Sequence, residues 1–424
     1  MKLSFYNIFI KKGNNYLLYN CFTEKILMIT PEVHDLLDKF NTQIESLSNL
    51  HPTLFNELKH EKFIIDDNCN ETDVFIQHQK QTDTSSDYFK IIINPTLDCN
   101  LRCWYCYEQH LKGSHISDKI EKRIYKLMEN KISEGKMKYL SIGFFGGEPL
   151  MKFDSFIYPF ISFAKRKCKD YNIKISFDFT TNAVLLSKKI IDSLVSENIK
   201  TRFQVPFDGG EEKHNLTKKL PNNKGTFKII LKNIEYALTK NIPFTIRCNY
   251  TQENIESFKN LIDLLSEMPN KELIDFSLQQ IWQESSNQEL LNKEKDLRKY
   301  IYMKGFVKKS TYVTRNKCYA DRENCIVINY NGDIYKCTAN EFQFENKEGV
   351  LKENGLIEYN NLYEERLKVK YENPICLKCK ILPICNICTQ HKLKTIKRIG
   401  HMVECDKELK DEIIHNRISS LTNI

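Results

Sequence analysis

No stretch of this 424-residue sequence approaches the roughly 18 consecutive apolar residues of a membrane-spanning helix, so no membrane span is expected. The opening MKLSFYNIFIKKGNN carries an apolar patch, but lysines close it and no small-residue cleavage site follows, so no secretory signal is expected either. That leaves a cytoplasmic location as the expectation. No internal repeat is visible. Nor is there a strong excess of one charge: Lys+Arg is 63 against Asp+Glu 55, a formal +8 that is spread along the chain. A balance this mild gives no sign of nucleic acid or a membrane surface as a partner. With 41% hydrophobic and 28% charged residues the composition is that of a globular protein, which excludes wholesale disorder.

Against these absences stands cysteine, with fifteen. Three lie between Cys99 and Cys106, eight between Cys318 and Cys405, and Cys21, Cys69, Cys168 and Cys248 are scattered. In a reducing compartment structural disulfides are rare, so clustered thiols point to metal. The scattered four are expected to pack as small hydrophobes.

The length suggests roughly three domains. Residues 1–78 read as a small α+β unit, with strands over Lys2–Ile10, Tyr16–Asn20 and Lys25–Thr30. An amphipathic helix over Pro31–Phe40 follows, with Val33, Leu36, Leu37 and Phe40 on one side, then a helix near Thr53–His60 and a strand at Phe63–Ile65. The polar stretch from Asp66 to Ser86 holds few apolar residues, and 79–89 is expected to be a linker. Residues 90–305 then alternate strands with helices: Lys90–Pro95, Tyr139–Phe145, Lys174–Thr180, Thr201–Phe207, Phe244–Tyr250 and Leu273–Ile281, with helices near 117–134, 155–170, 187–197, 226–239 and 254–266. This βα rhythm calls for a parallel sheet with helical crossovers. Six strands are too few for an eight-stranded barrel, so the fold class is α/β, a partial (β/α)6 TIM-type barrel. Residues 306–424 lose the rhythm, and Pro374 to Cys388 packs four cysteines into fifteen residues with little to fold around except metal.

The first cluster reads DCNLRCWYCYEQH, with Cys99-x3-Cys103-x2-Cys106 directly after a strand. A [4Fe–4S] cube takes four ligands, so three thiolates leave one iron for an outside ligand, and an open coordination position is how a metal centre binds substrate. A three-cysteine zinc site completed by His110 is the alternative reading of the same spacing.

The C-x3-C-x-aromatic-C pattern, with Tyr105 in the aromatic slot, resembles the radical S-adenosylmethionine (SAM) superfamily. So does Gly146-Gly147-Glu148-Pro149 at the end of the next strand, similar to that family's GGEP motif. The resemblance implies that the open iron chelates the methionine part of SAM, that the reduced cluster cleaves SAM to a 5′-deoxyadenosyl radical, and that Gly146, Gly147, Glu148 and Pro149 hold the SAM amino group. Glu148 would place charge opposite an ammonium. Thr181-Asn182, Asp208-Gly209 and HNLTKKLPNNKGTF match further family segments, with Ala183, Asn215 and Lys218 where relatives carry Gly, Asp and Arg. On that basis Tyr105, Asn182 and Lys218 are expected at the cofactor, and Asp208 with the three cysteines in catalysis. A lysine cannot give the bidentate fork of an arginine. In parallel βα barrels reactive groups gather at the C-terminal strand ends, which makes Asn249, Tyr250, Gln279 and Gln280 candidates as well.

The C-terminal cysteines resemble the SPASM extension of radical SAM peptide-modifying enzymes, although Cys385-x2-Cys388 is one residue short of the usual spacing. The resemblance implies two auxiliary [4Fe–4S] clusters, on Cys318, Cys325, Cys337 and Cys388, and on Cys376, Cys379, Cys385 and Cys405, for three clusters in all. Residues 1–78 resemble the RiPP recognition element, a winged-helix-like module that binds leader peptides by strand addition. The function implied is oxidative cross-linking, through thioether or carbon-linked rings, of a ribosomally made precursor peptide with a leader segment, with a flavodoxin or ferredoxin as electron donor. The alternatives are a sulfatase-maturase-like enzyme forming formylglycine, or a zinc-binding protein that holds peptide or nucleic acid.

Overall fold

A computed structural model describes residues 1–285, 287–306 and 318–422, so residues 307–317, at the start of the stretch expected to run 306–424, lie outside the described residues. The chain forms two compact units. The larger comprises residues 85–311 and 323–363, and the smaller comprises Met1–Thr84, Tyr312–Arg322 and Glu364–Ile424.

The larger unit is built on strands β1 (Tyr88–Ile93), β2 (Tyr139–Phe144), β3 (Lys174–Thr180), β4 (Lys200–Phe207), β5 (Phe244–Tyr250) and β6 (Ile274–Gln280). They lie side by side in sequence order, every pair parallel. One row across the sheet fixes the register: Ile93, Phe144, Phe179, Phe203, Phe244 and Ile274 stand opposite one another in turn. Its four phenylalanines are all buried, with successive ring centroids 5.0, 4.9 and 5.6 Å apart. A one-residue slip would turn that row to the opposite face, so the aromatic ladder pins the pairing.

Helices α1 (Asp118–Ser133), α2 (Tyr158–Asp170), α3 (Lys188–Ser196), α4 (Phe227–Thr239) and α5 (Phe258–Ser266) form the crossovers. Their apolar stripes, such as Ile120, Ile124, Leu127 and Met128 of α1, join the same core as the strands. A further helix, Gln288–Met303, follows β6 and buries only Leu290 and Leu297. Strand β6 is an edge and does not pair with β1, which leaves the barrel open. Strand β7 (Cys325–Ile328) lies parallel to β1 on its other side, with Ile328 opposite Ile93. Short antiparallel strands Asp333–Tyr335, Gly349–Leu351 and Ile357–Tyr359 extend the sheet to ten. The sequence pattern ends this sheet at β6; the structure carries it on through residues 325–359.

In the smaller unit, Asn7–Lys12, Asn15–Asn20 and Ile26–Ile29 form a three-stranded antiparallel sheet, followed by helices Pro31–Lys39 and Pro52–His60. The strand expected over Lys2–Ile10 is broken: Lys2–Leu3 pairs instead with Ile64–Ile65. Where a linker is expected, a helix runs over Glu71–Asp83 and β1 begins at Tyr88. Its polar composition misleads because two of its buried positions are acidic and satisfied. Glu71 accepts from Ser4 Oγ and the Phe5 N–H, both at 2.7 Å. Asp83 accepts from Lys370 and from Tyr371 Oη at 2.9 Å. The early strands and this helix share one apolar cluster with the cysteine-rich segment: Tyr6, Tyr19, Cys21 and Phe75 pack with Ile381, Leu382, Ile384 and Ile413. Arg417 pairs with Glu24 at its margin. No helix among the described residues is long and apolar enough to cross a membrane.

Replacing Asp83 with Ala would leave Lys370 buried without its carboxylate, and Lys370 is only 8% exposed. A loss of about 3–5 kcal/mol in denaturant unfolding is expected. A change below about 0.5 kcal/mol, the range of ordinary surface substitutions, would contradict this assignment.

Candidate active site

Because β1 to β6 are parallel, the residues that follow each strand collect at one end of the sheet. The loop after β1 carries the three closely spaced cysteines, and hydrogen bonds on either side of Cys99 hold it. Asp98 accepts from the Cys99 N–H at 2.8 Å and the Gly113 N–H at 3.0 Å, and the Gly113 bond leads the effects that hold its carboxyl below the usual range. Thr96 donates to the Ser114 carbonyl at 2.6 Å, and Ser114 Oγ accepts from the Leu97 N–H at 2.9 Å. Arg102 donates to the carbonyls of Cys99 and Leu101.

The turn after β2 clamps this loop. The Gly147 N–H donates to the Thr96 carbonyl at 3.1 Å, and the Glu148 N–H to the Asp98 carbonyl at 2.9 Å. A Cβ at Gly146, where φ is +107°, would stand 2.3 Å from the Thr96 oxygen, and one at Gly147 would stand 2.2 Å from the Asp98 oxygen. Only glycine permits two backbones this close.

Glu148 is fully buried, and its carboxylate is taken up by the chain's own donors. One oxygen accepts from Thr181 Oγ1 at 2.7 Å and the Leu150 N–H at 3.0 Å; the other accepts from the Asn182 N–H at 2.8 Å. Burial pushes its pKa up to about 7, against the pull of those bonds. Pro149 opens the following turn of helix. The bonds from Thr181 and Asn182 position the turn after β3. From there the Asn182 side chain donates to Asn100 Oδ1 at 2.7 Å and approaches Cys99 Sγ at 3.8 Å. Burial pushes the Cys99 thiol up to about 12 and Cys106 up to about 11, and pushes Cys103 up as well.

A second network sits beside Cys103. Tyr105 Oη donates to Asp208 Oδ1 at 2.6 Å, and Lys218 bonds both the Tyr105 hydroxyl and Asp208 Oδ2. Asn249 Nδ2 donates to the same hydroxyl at 3.0 Å. Lys218 is wholly buried; burial alone would lower its pKa, but the Asp208 carboxylate outweighs that and holds it up. Asp208, expected in catalysis, therefore has both carboxylate oxygens engaged by the chain itself. Asn215 accepts from the Thr226 and Phe227 N–H groups at 2.9 and 3.1 Å and so ties down the start of α4. Of the four strand-end candidates, Asn249 joins the network. Tyr250 belongs to the core, Gln279 bonds Ser277 and Gln280 bonds the Glu284 carbonyl.

The eight C-terminal cysteines divide between the units. Cys376, Cys379, Cys385 and Cys405 line one cavity of about 230 Å³ in the smaller unit. Cys318 and Cys388, also there, share a hydrogen bond. Cys325 opens β7 and Cys337 follows the next strand, both in the larger unit. Of the scattered four, Cys21, Cys168 and Cys248 are buried, while Cys69 is half-buried.

Zinc at a four-sulfur site holds its ligands at about 2.3 Å, which brings neighbouring sulfurs within roughly 4 Å of each other. Among the described residues the sole set of three or more metal-binding atoms within 4.8 Å of one another is Glu57, His60 and Glu61, on the surface. Among the described residues no three cysteine sulfurs lie that close, and His110 does not complete a set with Cys99, Cys103 and Cys106. An all-sulfur donor set, partly withdrawn from solvent, fits an iron–sulfur unit.

Residues 93–265 match the Radical SAM superfamily. That stretch of the chain is a radical SAM domain. A domain of this kind implies an enzyme that uses SAM and a [4Fe–4S] cluster. An uncharacterized protein of Methanocaldococcus jannaschii is 28% identical over 264 residues, 59% of this chain and 85% of that one. The radical SAM cyclopropyl synthase TigE of Paramaledivibacter caminithermalis is 23% identical over 390 residues, 84% of this chain and 79% of its own. The cysteine-type anaerobic sulfatase-maturating enzyme of Clostridium novyi is 24% identical over 160 residues, 37% of this chain and 42% of its own. In fold, the chain is similar to Streptococcus suis SuiB bound to precursor peptide SuiA, with a TM-score of 0.54 and 17% identity over 96% of this chain and 99% of that one.

Sequence reasoning missed Asp98, Asn100 and Ser114, whose hydrogen bonds hold the loop. Asp98 was adjacent to Cys99, but nothing in the spacing marks the partner of Asn100. Replacing Gly147 with Ala would drive a Cβ into the Asp98 and Leu97 carbonyls and displace the loop. Iron in the anaerobically purified protein is expected to fall by about four per chain, with loss of one cluster's electron paramagnetic resonance (EPR) signal. Full iron and an unchanged spectrum would contradict the clamp.

Proposed function

We propose that this enzyme is a radical SAM/SPASM peptide maturase. It cleaves SAM to a 5′-deoxyadenosyl radical and oxidatively cross-links residues of a ribosomally made precursor peptide through thioether or carbon-linked rings. The observation that carries this reading is the breadth of the likeness to SuiB, which reaches 96% of the chain and so takes in both the N-terminal unit and the cysteine-rich segment. The relationship to TigE, across 84% of the chain, points the same way.

In this reading Cys99, Cys103 and Cys106 hold the SAM-binding cluster. Cys318, Cys325, Cys337 and Cys388 hold one auxiliary cluster, and Cys376, Cys379, Cys385 and Cys405 the other. Held by those three cysteines, the first cluster would supply the electron that splits SAM. Everything else is the work of the chain. Gly146, Gly147 and Glu148 lock the cysteine loop, so the open corner is held in a fixed direction. Asn182 lies against Cys99, and Tyr105 and Lys218 against Cys103, which puts an amide, a hydroxyl and a fixed positive charge where SAM would sit. Asp208 acts as the partner that keeps Lys218 charged and Tyr105 oriented.

The N-terminal unit, residues 1–78, is read as the leader-binding element. The outer strands of its sheet, Asn7–Lys12 and Ile26–Ile29, each pair on one side within that sheet. An exposed sheet edge is a surface on which a peptide can add a strand. Residues 90–305 are read as the catalytic barrel and 306–424 as the SPASM domain. The electron donor is a cytoplasmic flavodoxin or ferredoxin.

The test is mass spectrometry of a short precursor peptide encoded beside this gene, after anaerobic reaction with reconstituted enzyme, SAM and dithionite. Loss of a pair of hydrogens per ring, with stoichiometric 5′-deoxyadenosine, is the expected result. Replacement of a cysteine thiol by an aldehyde oxygen would establish the formylglycine reaction instead, and an unchanged peptide mass would overturn cross-linking.

A further inference from the structure

Lys392 stands in an unusual place. It lies on the helix Thr389–Ile399, is only 7% exposed, and lines the same cavity as Cys376, Cys379, Cys385 and Cys405. Cys376 and Cys385 share the cavity wall with it. Among the described residues, no carboxylate lies within ion-pair distance of it. The other lysines at this cavity differ. Lys378 is exposed, and Lys410 pairs with Glu404 at 2.5 Å. The rest of the wall is largely apolar, with Ile381, Leu382 and Ile387 among its residues.

Burying a cation without an anion is costly, and the partial relief from neutral thiols is small. Four cysteines line the cavity with this lysine; of the nearby carboxylates, Glu404 pairs with Lys410 and Asp321 accepts from the Thr389 N–H. As thiolates on a cubane core of about +2, the four cysteines leave a net charge of about −2 on the oxidised unit, and reduction adds one more negative charge. A fixed cation beside the ligating sulfurs stabilises both states, and the more negative one more strongly. Hydrogen bonds to cluster sulfurs and net charge are the levers that move such potentials.

We propose that Lys392 is the counter-cation of the cluster on Cys376, Cys379, Cys385 and Cys405, and that it raises that cluster's reduction potential. This inference rests on the proposed function, in which that cluster is present and accepts an electron. The balance is simple. Hydrogen abstraction leaves a carbon radical on the peptide. Bond formation with loss of a proton leaves one surplus electron. That electron reduces the cluster beside Lys392 by one unit, and a one-electron carrier protein of the flavodoxin or ferredoxin class removes it. A site with higher potential receives the electron more readily, so Lys392 is a positioning residue for charge and touches no substrate.

The experiment compares wild type, Lys392→Met and Lys392→Arg as full-length, anaerobically purified proteins. Iron content and EPR-monitored redox titration are read on each. Wild type is expected to hold about twelve iron per chain. Lys392→Met should shift the midpoint of one cluster downward and leave the others in place, and Lys392→Arg should restore it toward the wild-type value. Loss of one cluster in the Met variant, with retention in the Arg variant, also supports a requirement for charge. An unmoved midpoint in a fully loaded Met variant would overturn the proposal, as would equal loss of the cluster in both variants. Wild-type protein holding only about eight iron, with no change when Cys376 and Cys405 are replaced by Ala, would instead remove the cluster itself and the three-cluster reading beneath it.

Discussion

The contact that everything at the sheet's end depends on is backbone against backbone: the turn at Gly146 and Gly147 pressed onto the carbonyls of Thr96 and Asp98. Three thiols on an irregular loop have no intrinsic reason to face one way. Ordering such a loop costs conformational entropy at every residue. Here the next parallel strand supplies the partner, because β2 delivers its glycines beside the loop that β1 delivers. Glu148 then passes the constraint on to Thr181 and Asn182 beyond β3, and Asn182 returns to Asn100 and Cys99. Successive strand ends are thus tied into one rigid rim before any ligand arrives. Preorganisation of this kind is what a site needs when it must aim a reactive species at one atom.

Much of the fold was legible, and for a physical reason. A strand buried on both faces must be apolar along its length, so β1 to β5 stand out as runs, and their crossover helices show apolar stripes at helical spacing. What escaped notice had weak versions of these signals. Strand β7 is four residues long, too short to announce that it joins the barrel sheet. Helix Gln288–Met303 buries two leucines in sixteen residues, and Glu71–Asp83 buries acids whose partners are far away in sequence. Pairings such as Asp83 with Lys370 depend on tertiary structure alone.

The site was legible in its motif residues and opaque in their roles. Cys99, Cys103, Cys106 and the Gly-Gly-Glu-Pro turn were readable from spacing. That Glu148 serves its own chain, and that Asp208, Lys218, Tyr105 and Asn249 form one network, required coordinates, because each bond spans a loop whose path the sequence does not give. The same holds for Lys392, one lysine among many until its cavity is seen.

The most direct measurement of the central claim, that an iron left free by Cys99, Cys103 and Cys106 binds SAM, is EPR of the dithionite-reduced enzyme before and after SAM is added. Direct ligation predicts a shift in the g-values of one cluster, and loss of that response when any of the three cysteines is replaced by Ala. Identical spectra with and without SAM in fully loaded wild-type protein would contradict it.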